Sequence, residues 1–192
     1  RKRVEDARFT QGKGNYVDDI KLKGMLFGDF VRSPVAHARV KNIDTSAALA
    51  LPGVHAVLTA ADLEPLGLHW MPTLAGDKQI VLADGKVLFQ GQEVAFVVGD
   101  DRYAVADGVS LVEVEYEELP VVTDPFKAEL KDAPILREDI ADQKEGAHGA
   151  RRHPNHIFTW EAGEKEETNK VLEEAEVVAD EMVYYHRTHP CP

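Results

Sequence analysis

Three groups of side chains in this chain are of types that can bind or react. The imidazoles of His148, His153 and His156, followed by His186, His189 and the thiol of Cys191, belong to the classes that hold zinc or copper. Their spacing matches no standard metal motif, and Arg151 and Arg152 oppose a cation, so a polar connecting loop is the preferred reading. The second group is Gln90-Gly91-Gln92-Glu93, where amides and a carboxylate beside a glycine could orient a ligand or a partner. No nucleophile or metal set accompanies it, so a polar turn between two strands, with Gly91 supplying backbone freedom, is preferred. The third is His37 with Arg39, at the start of a strand pattern. A contact with another domain or subunit is open to them, but a polar residue in that position more often satisfies nearby backbone. Gly12-Lys13-Gly14 fails as a phosphate loop, since no apolar strand precedes it, no third glycine follows and no Lys-Ser/Thr pair is present. No residue is therefore assigned as catalytic, cofactor-binding or metal-binding.

The elements that must position these groups centre on residues 86–120. Val94 to Val98 form a near-continuous apolar run, the pattern of a strand buried on both faces. Asp100 or Asp101 suits an N-cap, and Tyr103, Ala104, Ala106, Val109 and Leu111 mark one side of a helix. Val112, Val114 and Tyr116 then alternate with Glu113, Glu115 and Glu117, which predicts a half-solvated strand ended by Pro120.

Upstream, residues 1–24 read as an extended arm rich in turn formers. Met25 to Val31 predict a strand, and a second follows over HARVKNID. Thr45 or Ser46 is placed to cap a short helix, Pro52-Gly53 stops it, and VHAVLT is a further strand. Residues 64–85 have no stable period, although Trp70 and Met71 need an apolar anchor. After Pro125 the charges and turns increase, which predicts a domain boundary with a linker beyond it. HIFTWEAG is expected as a short strand, EKEETNKVLEEAE as a polar helix, and VVADEMVYYHRTHP as a long strand in need of a sheet. The sum is an α+β chain with a mixed sheet, short helices and a C-terminal extended segment.

Bulk composition excludes several classes. The 192 residues are 44% hydrophobic and carry 22 Lys+Arg against 34 Asp+Glu, a net charge of −12. Such a chain can bury a core but offers no basic surface to replace phosphate counterions, so nucleic acid is not expected as a partner. No apolar stretch is long enough to cross a bilayer, and the Arg1-Lys2-Arg3 start is not followed by a signal core. With a single cysteine, Cys191, no internal disulfide is possible, and cytoplasm is the expected compartment. That thiol leaves only an intermolecular disulfide open.

The series FQGQEVAFVV, DRYAVAD, VEVEYEELPVV and DP resembles the small α/β hammerhead domain at the start of the molybdenum-binding large subunit of the xanthine dehydrogenase and aldehyde oxidase superfamily. EDARFTQGKGNYVDDI, GMLFGDFVRSPVAHARVKNIDTSAALALPGVHAVLTAADL, EGAHGARRHPNHIFTWEAG and YYHRTHP carry the same resemblance, so it covers almost the whole chain. Within the superfamily the likeness is to the aerobic carbon monoxide dehydrogenase branch. It implies an arm over 1–24, the hammerhead over 25–125, and over 126–192 a linker with the truncated start of the cofactor-binding region. It also implies a parent oxidoreductase that converts carbon monoxide and water to carbon dioxide at a molybdenum centre with copper. Its partners would be a medium flavoprotein carrying FAD and a small subunit with 2Fe-2S clusters. The cofactor-holding motifs of that family lie outside this chain, so the implied role here is non-catalytic scaffolding within the large subunit. Two alternatives stand beside it: the same domain of a hydroxylase for aldehydes or N-heterocycles, and a stand-alone binding module. A part of a larger protein should display an apolar patch where its neighbour packs.

Overall fold

The computed structural model describes residues 3–68, 70–72, 78–141, 145–146, 149–150 and 153–186. The chain divides into a compact unit, Arg1–Phe158, and a second unit, Thr159–Pro192. In the first unit the strands are β1 (Phe27–Arg32), β2 (Ala38–Asp44), β3 (Val54–Leu58), β4 (Trp70–Pro72), β5 (Lys78–Ile80), β6 (Lys86–Val87), β7 (Glu93–Gly99), β8 (Glu113–Glu118), β9 (Glu145–Gly146) and β10 (Gly149–Ala150). Its α-helices are α1 (Asp6–Phe9), α2 (Ser46–Leu49), α3 (Ala60–Leu63) and α4 (Arg102–Leu111). The second unit contains α5 (Lys165–Glu174).

The apolar run of β7 explains the centre of the fold. β7 is flanked by β1 and β3 in one antiparallel sheet, and β2 is flanked by β6 and β8 in another. Ala95 and Val97 enter a core with Val31, Ala48, Val105 of α4 and Val112. Val94 enters a second core with Ala38, Ala83 and Val87. A strand whose successive side chains serve two cores must be apolar at both parities. Val87, Val94 and Val97 are each 0% exposed, and burying a side chain of this kind contributes about 1.5–3 kcal/mol.

Helix α4 begins where expected. The Asp101 carboxylate accepts hydrogen bonds from the backbone N–H groups of Tyr103 and Ala104, both at 2.9 Å, and so satisfies two donors that have no partner within the helix. Gly108 lets the helix approach the sheet, since a Cβ there would stand 2.9 Å from Val97 Cγ1 and 3.0 Å from Val54 Cγ2. In β8, Val114 and Tyr116 are half-buried and the intervening glutamates are exposed, as the alternation predicts.

The short elements depart from expectation in instructive ways. β1 starts at Phe27, the first residue that pairs with β7, opposite Gly99. Thr45 occupies the N-cap of α2 but makes no side-chain cap; Asp44 supplies the acceptor, its Oδ1 taking the Ser46 N–H at 2.9 Å. The period-free stretch after Glu64 contains the β4–β5 hairpin, whose three-residue strands are too short to print a pattern. Asn155 binds the loops after residue 125, donating from Nδ2 to the carbonyls of Ala128 and Pro134 and accepting the Leu136 N–H, each at 2.9 Å.

In the second unit, α5 forms but the expected strands do not: the described residues 159–162 and 175–186 have no strand assignment, and neither do His156 to Phe158. Val177, Val183 and Tyr185 are 82%, 78% and 85% exposed. A strand exists only by ladder hydrogen bonding to another strand, so an apolar, alternating sequence does not by itself make one.

Candidate functional site

The first unit carries a cleft of about 540 Å³ whose walls include Arg39, Trp70, Lys86, Phe89, Gln92 and Glu138. β2 contributes Arg39, β6 contributes Lys86, the β4–β5 hairpin contributes Trp70, and a short 3-10 turn, Glu138–Ile140, closes the far side. The cleft thus brings together Arg39, Gln92 and Glu93 from two of the groups singled out in the sequence.

Lys86 organises the floor. Its side chain is 13% exposed, and Nζ donates to the carbonyl oxygens of Leu136 at 3.0 Å and Ile135 at 3.3 Å while facing Glu138 Oε1 at 3.3 Å. Arg39 approaches both Glu138 oxygens at 3.4 Å. Burial alone would raise the Glu138 carboxyl, but Lys86 and Arg39 outweigh it and hold it below the usual range. Arg137 grips Asp139 with two parallel bonds of 2.8 and 2.7 Å, which lowers that carboxyl despite its partial desolvation.

The Gln90–Glu93 group is a turn. Gly91 has φ +86°, a conformation that glycine alone adopts freely, and its N–H donates to the Ser33 carbonyl at 2.8 Å. Gln92 is buried, and its Oε1 accepts the Leu88 N–H at 2.6 Å, while Glu93 pairs with Arg32 at 2.6 Å. His37 lies outside the cleft's lining and is 3% exposed. Its Nδ1 is 2.6 Å from the Pro120 carbonyl oxygen. A carbonyl only accepts, so Nδ1 carries the proton and donates, and His37 joins the entry of β2 to the exit of β8. Gln92 and His37 thus bond backbone, the reading preferred from sequence, whereas Arg39 does not: it approaches the Glu138 carboxylate instead.

His153 Nδ1 accepts the Asn155 N–H at 3.1 Å, and His156 is buried. His148, His189 and Cys191 lie outside the described residues. Among the described residues no three His, Cys, Asp or Glu side chains are grouped to hold a metal ion. The cleft's cations are already engaged by Glu138 and Asp139, so its donor set does not fit an anionic molybdenum cofactor. What it can do is hold polypeptide segments together through compensated charge and apolar walls.

Lys86, Arg137, Glu138 and Asp139 escaped the sequence reading. Lys86 meets Leu136 across 50 positions, and a single lysine in a strand pattern announces no partner at that distance.

The sequence profile described as the aldehyde oxidase and xanthine dehydrogenase a/b hammerhead domain matches residues 11–120, more than half of the chain. The carbon monoxide dehydrogenase large chain of Afipia carboxidovorans is 71% identical over 192 residues, covering 100% of this chain and 24% of that protein. Among solved structures, the reconstituted CO dehydrogenase from Oligotropha carboxidovorans superposes with a TM-score of 0.83 at 73% identity, over 92% of this chain and 22% of that one. A crystal structure of the Cu,Mo-CO dehydrogenase in its carbon monoxide reduced state superposes with a TM-score of 0.79, also at 73% identity, over 92% of this chain and 22% of that one. The chain therefore spans about a quarter of the length of the relatives it matches. No helix among the described residues is long and apolar enough to cross a membrane.

Proposed function

Since this chain belongs to the aldehyde oxidase and xanthine dehydrogenase family, whose a/b hammerhead domain it carries, we propose that it is a non-catalytic structural module of the molybdenum-binding large subunit of an aerobic carbon monoxide dehydrogenase. The parent enzyme converts carbon monoxide and water to carbon dioxide, two protons and two electrons. The observation that carries the reading is 71% identity over 192 residues, the whole length of this chain. Residues 1–24 act as an arm, 25–125 as the hammerhead, and 126–192 as a linker and the start of the cofactor-binding region. Molybdenum, with the copper named for the related Cu,Mo enzyme, supplies the redox chemistry in the parent subunit. The residues of the cleft do not fit that cofactor, so no step of the reaction is assigned to them. Its work is to keep the β6–β2–β8 sheet, the β4–β5 hairpin and the 135–140 segment in fixed relation. A medium flavoprotein with FAD and a small 2Fe-2S subunit take the electrons, in the cytoplasm.

The test is isolation of the native gene product with whatever accompanies it, followed by intact mass and metal analysis. A polypeptide severalfold longer than this chain, holding molybdenum and copper, is expected. Molybdenum without copper would redirect the reading to a hydroxylase of aldehydes or N-heterocycles. A free chain of this length without metal would overturn it in favour of a stand-alone binding module.

A further inference from the structure

The β1–β7–β3 sheet has one face closed by α4; on its other face Val94 is buried in the second core, while the rows beyond it are left partly open by the described residues. On the α4 side Val31, Ala95 and Val97 are 7%, 0% and 0% exposed. On the other side the register sets Gly28, Val98 and Ala56 in one row and Phe30, Phe96 and Leu58 in the next, across all three strands. Gly28 is exposed and the other five are half-buried. The rings of Phe30 and Phe96 meet at 4.7 Å between centroids, tilted by 51°, and the Phe96 ring lies over Gly28 so closely that a Cβ there would stand 2.2 Å away. Arg32 stacks at 5.3 Å over Phe30, its charge compensated by Glu93 at 2.6 Å.

We propose that this face is where the remainder of the same large-subunit polypeptide packs, an apolar segment of it closing over Phe30 and Phe96. The inference rests on the function proposed above and names the surface through which that scaffold is joined. Three observations select this occupant. The carbon monoxide dehydrogenase large chain of Afipia carboxidovorans has roughly three quarters of its length outside the shared region, and a covalently attached segment meets its docking face at high effective concentration. The six positions carry no charge in a chain of net charge −12, and permanent interfaces are the apolar ones, whereas transient partners are steered by charge. An aromatic pair with an arginine at its edge is also the composition that anchors interfaces.

The experiment uses the full-length large subunit containing this sequence, with Ala56→Cys installed and maleimide labelling at position 56 followed by peptide mass analysis. In the large subunit without partners, labelling is expected to be at least about tenfold slower than in the same protein unfolded, as for a site that opens only by local unfolding. Oxidative footprinting of Phe30 and Phe96 in the unsubstituted subunit must agree, and it serves alone if Ala56→Cys does not fold. Native labelling close to the unfolded rate overturns the proposal. Protection that appears only on adding flavoprotein and iron–sulfur subunits, or only as protein concentration rises, also overturns it by assigning the face to another chain. A native gene product no longer than this chain overturns the functional reading itself, a result visible by mass before any labelling.

Discussion

A methyl group added at Gly99 would stand 2.7 Å from the Gly53 carbonyl oxygen, whereas one at Gly28 would meet the edge of the Phe96 ring. The two obstacles differ in kind. Gly53 O is backbone held in place by the Asp100 N–H at 2.8 Å, while the Phe96 ring can swing outward from a half-buried position. Gly99→Ala therefore destabilises the protein by about 1–3 kcal/mol, the range for overpacking, and Gly28→Ala by clearly less. Thermal denaturation of the two variants checks this, and equal losses would contradict it. At this scale the sequence was informative about residues that serve their own neighbourhood. Gln92 satisfies backbone four positions away, as its type and turn position suggest, and His37 and Gly91 also bond backbone, although their partners, Pro120 and Ser33, lie far off in the chain and could not be named from sequence. Lys86 was not legible, because its carbonyl and carboxylate partners come from Ile135, Leu136 and Glu138.

Elements in this fold depend unequally on their own residues. Helix α4 has a capping carboxylate, so Asp101→Ala removes the acceptor for two N–H groups and costs about 1 kcal/mol, read as a lower urea midpoint with an unchanged slope. The 135–140 segment depends on ion pairs. Glu138 and Asp139 are both held below their ordinary values of 4.5 and 3.8. A carboxyl lowered by folding contributes stability above its ordinary value and loses it as pH falls through the folded one. Amide exchange over 135–140, corrected for intrinsic rates, is thus expected to accelerate relative to β7 as pH drops below 4.5. A constant ratio between pH 6 and 3, the span that brackets both ordinary carboxyl values, would show that the ion pairs do not hold the segment.

In the whole molecule, the compact unit ends at Phe158 and the described residues beyond it are exposed. Limited proteolysis of this chain is accordingly expected to cut first within 159–186 and to leave a resistant fragment ending near Phe158. First cuts inside β7 or β8 would refute that. The amino-acid sequence by itself determined the strand–helix–strand order, the cap of α4 to within Asp100 or Asp101, the alternation of β8 and the family, because these depend on periodicities and motifs contained within short stretches; it did not give the buried side of α4, which is Val105 and Gly108 rather than the expected Tyr103, Ala106 and Leu111, all exposed. Tertiary structure alone decided that β7 serves two cores, that Lys86 gathers the 135–140 segment, and that Gly28, Phe30, Ala56, Leu58, Phe96 and Val98 share one open face. Each of those arrangements joins residues far apart in the chain, through register and packing that no local pattern records.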